Sequence, residues 1–185
     1  GGVVANTSGD IGRSSGSTGE ATVTGAGSQW NNSFELRVGH EGTGTLDVTD
    51  GGVVANTSGY IGKESGSTGE ATVSGANSRW SSSSDLHVGY AGNGALNVTD
   101  GGVVLNTDGR IGDVSGSTGV ATITGLGSQW NNSGRMYVGW FGDGTLNMEA
   151  GGLVTNNGPA YIARTSASTG AVTVVGVQCH RLEGF

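Results

Sequence analysis

The chain has 185 residues, 39 of them glycine and one proline, and a formal net charge of −7 with only 12% charged residues. No Gly-X-Y period runs through it, which excludes collagen, and a surface this short of cations gives nucleic acid or an anionic membrane little to hold. One cysteine, Cys179, excludes an intrachain disulfide and a cysteine-based zinc site, and no stretch approaches the roughly 18 apolar residues of a membrane span.

The chain opens on GGVVANTSG, and the same phrase returns at Gly51. It therefore begins in register, as if inside a longer array. Short alternating segments follow in order: Val4–Asn6, Ile11, Ala21–Val23 within GSTGEATVTG, the Trp30 segment within GSQWNNS, Leu36–Val38, and Leu46–Val48. Alternation with period two, broken by Gly, Asn, Asp and Ser, is the signal of strands and turns. No segment has a helical period. Residues 51–100 and 101–150 repeat this text without a gap, and repeats so regular mean stacked structural units. A fourth, partial copy covers 151–176 with one extra residue around Pro159. The tail 177–185, with Cys179, His180 and Arg181 where the pattern asks for GxGSxW, reads as a foreign or truncated end, an authentic divergent cap being the alternative.

Inside each unit Gly19–Thr24 matches Gly44–Thr49 at a separation of 25, so fifty residues make two turns. Three short strands per turn, stacked without helices, describe an all-β fold, a parallel β-solenoid with two rungs per repeat. Each rung rests its apolar residues on those one rung away. Val4, Ile11, Ala21, Val23, Leu36, Val38, Leu46 and Val48 recur with conservative changes and are expected inward; positions 5, 10, 13, 35, 37 and 40 vary and are expected outward. Corners need residues that tolerate positive φ or close backbone approach, which glycine supplies. Asn6, Asn56, Asn106 and Asn156 repeat at one such corner, where their amides are expected to form a hydrogen-bonded ladder or to cap turn carbonyls. The recurrent Trp30, Trp80 and Trp130 are expected to pack at a corner.

The phrases GSTGxATVxG, GSQWNNS, VGHEGTGTL and VTDGG together resemble the strand-loop-strand repeat of bacterial autotransporter (type V secretion) passengers over nearly all of residues 1–176. The resemblance implies a right-handed parallel β-helix, exposed on the bacterial cell surface or secreted from it, with a structural and adhesive role toward host or matrix proteins or glycans. It brings no catalytic residues and no cofactor.

Other functions are weaker on the residues. A hydrolase or lyase acting on polysaccharide needs a unique pair of carboxylates, whereas Glu20 and Glu70, or Asp50 and Asp100, are copies of one another. GSTG lies before a strand, not between strand and helix as a nucleophile elbow must. Gly1-Gly2 and Gly51-Gly52 are followed by Val-Val, which lacks the carboxylate of a calcium nonapeptide. The histidines His40, His87 and His180 read as surface variation. Ice binding by the rank Thr24, Thr49, Ser74, Thr99, Thr124 is interrupted by Asp47, Asn97 and Asn147 alongside. His40, Tyr90 and Trp140, with Phe141 beside the last, form a candidate contact strip at the turn after Val38, because aromatic rings supply large area at low entropic cost. Unpaired rungs at the two ends carry an expectation of end-to-end self-association.

Overall fold

The computed structural model describes residues 1–176; the tail 177–185 lies outside the described residues. The first repeat forms β1 (Val3–Asn6), β2 (Gly9–Ile11), β3 (Thr18–Thr24), β4 (Gln29–Asn32), β5 (Glu35–Val38) and β6 (Thr43–Thr49). β1 and β4 belong to one sheet, A; β2 and β5 to a second, B; β3 and β6 to a third, C. Later repeats add strands in the same order, giving three 7-stranded sheets, parallel throughout, and no helix among the described residues. The molecule is a three-sided parallel β-solenoid of seven turns.

The register explains why the half-repeat shows faintly in the sequence. In sheet C, Ala21 lies opposite Leu46 and Leu46 opposite Ala71, two steps of 25 residues. In sheet A, Val4 meets Trp30 and Trp30 meets Val54, steps of 26 and 24. In sheet B, Gly9 meets Leu36 and Leu36 meets Gly59, steps of 27 and 23. Unequal turns thus hide the 25-residue period in two sheets and leave it visible in one. The extra residue of the fourth copy is absorbed in the turn before Ala160, which meets Met136 after 24 residues instead of 23.

The interior is built of two kinds of rung. One presents Val4, Gly9 and Ala21; the next presents Trp30, Leu36 and Leu46 at the same three places. Small and large rungs alternate through Val54, Gly59 and Ala71, then Trp80, Leu86 and Leu96. In the middle of the rod these side chains, and the evenly matched Val38, Val48, Ile61, Val73 and Val88, are fully buried. Gly59 shows how tight the fit is. A Cβ there would lie 2.7 Å from Leu86 Cδ1 and 3.0 Å from Trp80 Cζ2, so the large rung occupies the space the small one leaves.

Trp80 and Trp130 are fully buried within strands of sheet A, not at a corner as expected. Asn6, Asn56, Asn106 and Asn156 end their strands without a positive φ. Non-glycine residues take the left-handed conformation at Asp50, Asp100 and Ala150, with φ of 52°, 53° and 48°, each followed by a positive-φ glycine, and at Asn77 and Ala163. An extended strand end, which aims the Asn side chain inward, is what places it there.

Gly59→Ala is expected to destabilise by about 1–3 kcal/mol through overpacking, and Leu86→Ala by about 2–5 kcal/mol through the cavity it leaves. The double variant should cost less than the sum, because removing Leu86 Cδ1 makes room for the new methyl. Urea unfolding of the three proteins measures the coupling; strict additivity would contradict the alternating-rung packing.

Candidate functional site

Two sets of residues stand out from the sequence, one buried and one on the surface. The buried set is the asparagine column at the end of sheet A. Trp80 Nε1 donates to Asn56 Oδ1 at 2.6 Å, and Asn56 Nδ2 donates to Ser82 Oγ at 2.9 Å. Trp130 and Asn106 repeat the arrangement at 2.6 Å, with Asn106 Nδ2 donating to Asn132 Oδ1 at 2.6 Å. Asn6 accepts from Trp30 and also donates to the turn carbonyl of Ser8, and Asn156 donates to the Gly158 carbonyl. Ladder and turn cap therefore coexist in one column. Its role is structural, since an indole N–H sealed in an apolar rod needs an acceptor. The intervening Asn32, Ser82 and Asn132 were not singled out in the sequence; their 26-residue offset from Asn6, Asn56 and Asn106 is outside the visible 25-residue period.

The surface set lies on the outer face of sheet B. Its central column runs Asp10, Arg37, Tyr60, His87, Arg110, Tyr137, Tyr161, one residue per rung. Beside it, at the turn after each strand, backbone hydrogen bonds align His40, Lys63, Tyr90, Asp113, Trp140 and Arg164. The expected strip His40, Tyr90, Trp140 thus occupies alternate rungs, and charged residues fill the rungs between.

Side chains on this face stack as the strands stack. Tyr60 and His87 lie nearly parallel with ring centroids 4.7 Å apart, and Tyr90 meets both edge-on. Tyr137 stacks on Trp140 at 4.6 Å and on Tyr161 at 5.2 Å, while Phe141 stacks on Trp140 at 5.6 Å. Lys63 Nζ sits 3.6 Å from the Tyr60 ring centre, and the Arg110 guanidinium 4.4 Å from that of Trp140. Such cation–π contacts gain strength where water is partly excluded.

Between the two aromatic groups is an unrepeated set of ionic residues. His87 Nδ1 and Asp113 Oδ2 are 2.6 Å apart, both buried; Arg110 reaches Asp85 at 3.1 Å and lies 3.8 Å from Asp108 and Asp113. His87 is therefore not the freely varying surface residue its column suggested. An open depression of about 370 Å³ lies over this set, walled by Tyr90 on one side and Trp140 and Phe141 on the other. His40 stands apart at the first rungs, with Nδ1 3.2 Å from Asp10 but not aligned for a hydrogen bond. Arg37 there is held by Asp10 and Glu35. His180 lies outside the described residues.

The outer face of sheet C is different in kind. Thr49 donates to Thr24 at 3.0 Å, Thr99 to Ser74 at 2.9 Å, and Ser74 to Asp100 at 3.0 Å, so hydroxyls of the threonine rank are used within the protein. A larger opening, about 690 Å³, is the exposed end of the first rung around Val4 and Gly9. It is the edge of the core and carries no reactive group. No grouping of three or more His, Cys, Asp or Glu suited to a metal occurs among the described residues.

These features define the class, a rod-shaped β-solenoid with one chemically varied face. Comparisons with protein-family models, curated proteins and solved structures give no match to this chain.

Burial, reinforced by the Glu35 carboxylate, holds the Tyr60 phenol above its ordinary value. Unfolded tyrosine ionises near pH 10, so the stability Tyr60 contributes is full below about pH 10 and is lost as the pH rises through the folded value. Tyr60→Phe should therefore flatten the alkaline loss of stability relative to the parent chain. Urea midpoints measured from neutral to alkaline pH test this; parallel curves would contradict it. Trp80→Phe should cost about 1–3 kcal/mol, because Asn56 Oδ1 would be left buried and unpaired, and calorimetry of the two proteins checks it.

Proposed function

We propose that the chain is a rigid segment of an exported bacterial surface protein of the autotransporter-passenger type, which projects the outer face of sheet B to an external partner. The observation that carries this reading is the contrast between columns of one chain. Inward columns repeat with fifty-residue fidelity, and the outer face of sheet C carries hydroxyl, amide, small apolar and acidic side chains with no aromatic ring and no cation in its seven strands. The central column of sheet B changes chemistry at most rungs, from Asp10 through Tyr60 and Arg110 to Tyr161. A face that served only stability would need no such variety, whereas a recognition surface is built from distinct, asymmetric contacts. Stacked parallel strands provide a stiff support, and rigid elements hold contact residues better than loops do.

A second reading, an enzyme acting on polysaccharide, gains one specific observation. Asp85, His87, Asp108, Arg110 and Asp113 form an acid–base group that the repeat does not copy, contrary to the expectation that the carboxylates are only repeated copies. Each of these carboxylates lies within 4 Å of the Arg110 guanidinium, however. A glycosidase acid must hold its proton in an apolar site, and these carboxylates have no such surroundings. The adhesive reading therefore stands first.

Beads coated with the chain should adhere to a glycan-coated or matrix-protein-coated surface, and Tyr90→Ala or Trp140→Ala should reduce adhesion severalfold while Thr72→Ala on sheet C leaves it unchanged. Antibody against the chain should label intact cells of the source bacterium. Equal adhesion of all variants, or labelling only after lysis, would refute the proposal.

A further inference from the structure

We infer that the sheet B face binds a neutral, extended β-1,4-linked glycan laid along the rod axis, with the depression between Tyr90 and Trp140 as its central subsite. This rests on the adhesive reading above and names the partner's chemistry.

Three observations carry it. First, the charges of this face are used internally. Arg37 is held by Asp10 and Glu35, Arg110 by Asp85 with Asp108 and Asp113 nearby, and His87 by Asp113, while Lys63 and Arg164 lie over aromatic rings. At the depression, an anion drawn to Arg110 would meet Asp85, Asp108 and Asp113 around it, and a cation drawn to those carboxylates would meet Arg110. A hydroxyl both donates and accepts, so a polyol can add hydrogen bonds to such pairs without breaking them.

Second, the depression combines ring walls with a polar floor. Tyr90, Trp140 and Phe141 stand around it, and Asp85, Arg110 and Asp113 contribute its ionic groups. Phe141 is 48% exposed despite its stack on Trp140. Ring walls over a strongly polar floor match a pyranose, which has an apolar face of C–H bonds and a rim of hydroxyls.

Third, the spacing fits. Tyr90 and Trp140 lie two rungs apart, with Asp113 on the rung between, about 9.6 Å for strands spaced about 4.8 Å. In a β-1,4-linked glycan successive sugars are turned over, so the same ring face recurs every second residue, at close to this separation. His40 continues the two-rung series toward the first turn, and the parallel stack keeps the line straight. A flexible or strongly bent chain would not follow it.

The test is calorimetric titration of the full chain with cellobiose, cellohexaose, the hexamer of N-acetylglucosamine, and hexagalacturonate, with retention on immobilised collagen as a parallel arm. At least one neutral hexamer should bind, at least tenfold more tightly than the disaccharide. Trp140→Ala should weaken it at least tenfold. Phe141→Ala, at an exposed ring whose loss leaves the core intact, should weaken it severalfold, and Thr122→Ala on sheet C should change nothing. Tighter binding of hexagalacturonate, indifference to both ring substitutions, or cleavage of a hexamer into shorter sugars would each overturn the inference. Retention on collagen alone would overturn it too but leave the adhesive reading standing. Binding to none of these probes would count against both.

Discussion

The alternation of large and small rungs is the constraint on which the rest of the structure depends. Parallel strands bring equivalent residues within about 4.8 Å of one another, and the interior of this narrow rod must fit the three core positions of each rung against those of the next. The chain resolves this by setting Trp80, Leu86 and Leu96 over Val54, Gly59 and Ala71. That is why the covalent repeat is fifty residues while the geometric repeat is one turn. Interiors pack at the density of organic crystals, so each small rung is as specific a requirement as each large one.

The same spacing acts on the outside with a different result. Side chains on one outward column are also one rung apart, a distance suited to stacked rings and to cations over rings. Sheet B uses this with Tyr60 on His87 and Tyr137 on Tyr161, while Tyr137 also stacks on Trp140 of its own rung and Arg110 reaches Trp140 across to the next. These contacts bury the sides of residues whose sequence positions look freely variable, and they fix the orientation of the groups facing the depression. Sheet C instead carries short hydroxyls that bond along the rank. One backbone geometry thus supports a bland face and a chemically dense one.

A solenoid with no disulfide among its described residues must draw its stability from repetition. Each rung contributes an interface with its neighbours, and stability is close to a sum of such terms. The tryptophan–asparagine bond adds a directional element to an otherwise apolar stack. It satisfies the indole N–H that every large rung carries into the core, and it ties that rung to the small rung before it.

The sequence by itself determined the fold. Period-two alternation, turn residues and the fifty-residue repeat specify stacked strands with three per turn, and the recurrence of Ile11, Val38 and Val48 against the variation at 10, 37 and 40 separates inside from outside without any structure. The candidate strip was legible only in part, because Tyr90 and Trp140 share a repeat position and an aromatic ring, whereas Tyr60 and Arg110 share another position and His87 and Tyr137 a third without sharing a residue type. Sheet B advances by alternating steps of 27 and 23 residues, so residues that touch across rungs are not equidistant in the chain. Tertiary structure alone decided that His87 meets Asp113, that Arg110 lies among three carboxylates, and that the rings gather into two groups with a depression between. The physical reason is that turn lengths, not repeat lengths, set which outward side chains become neighbours.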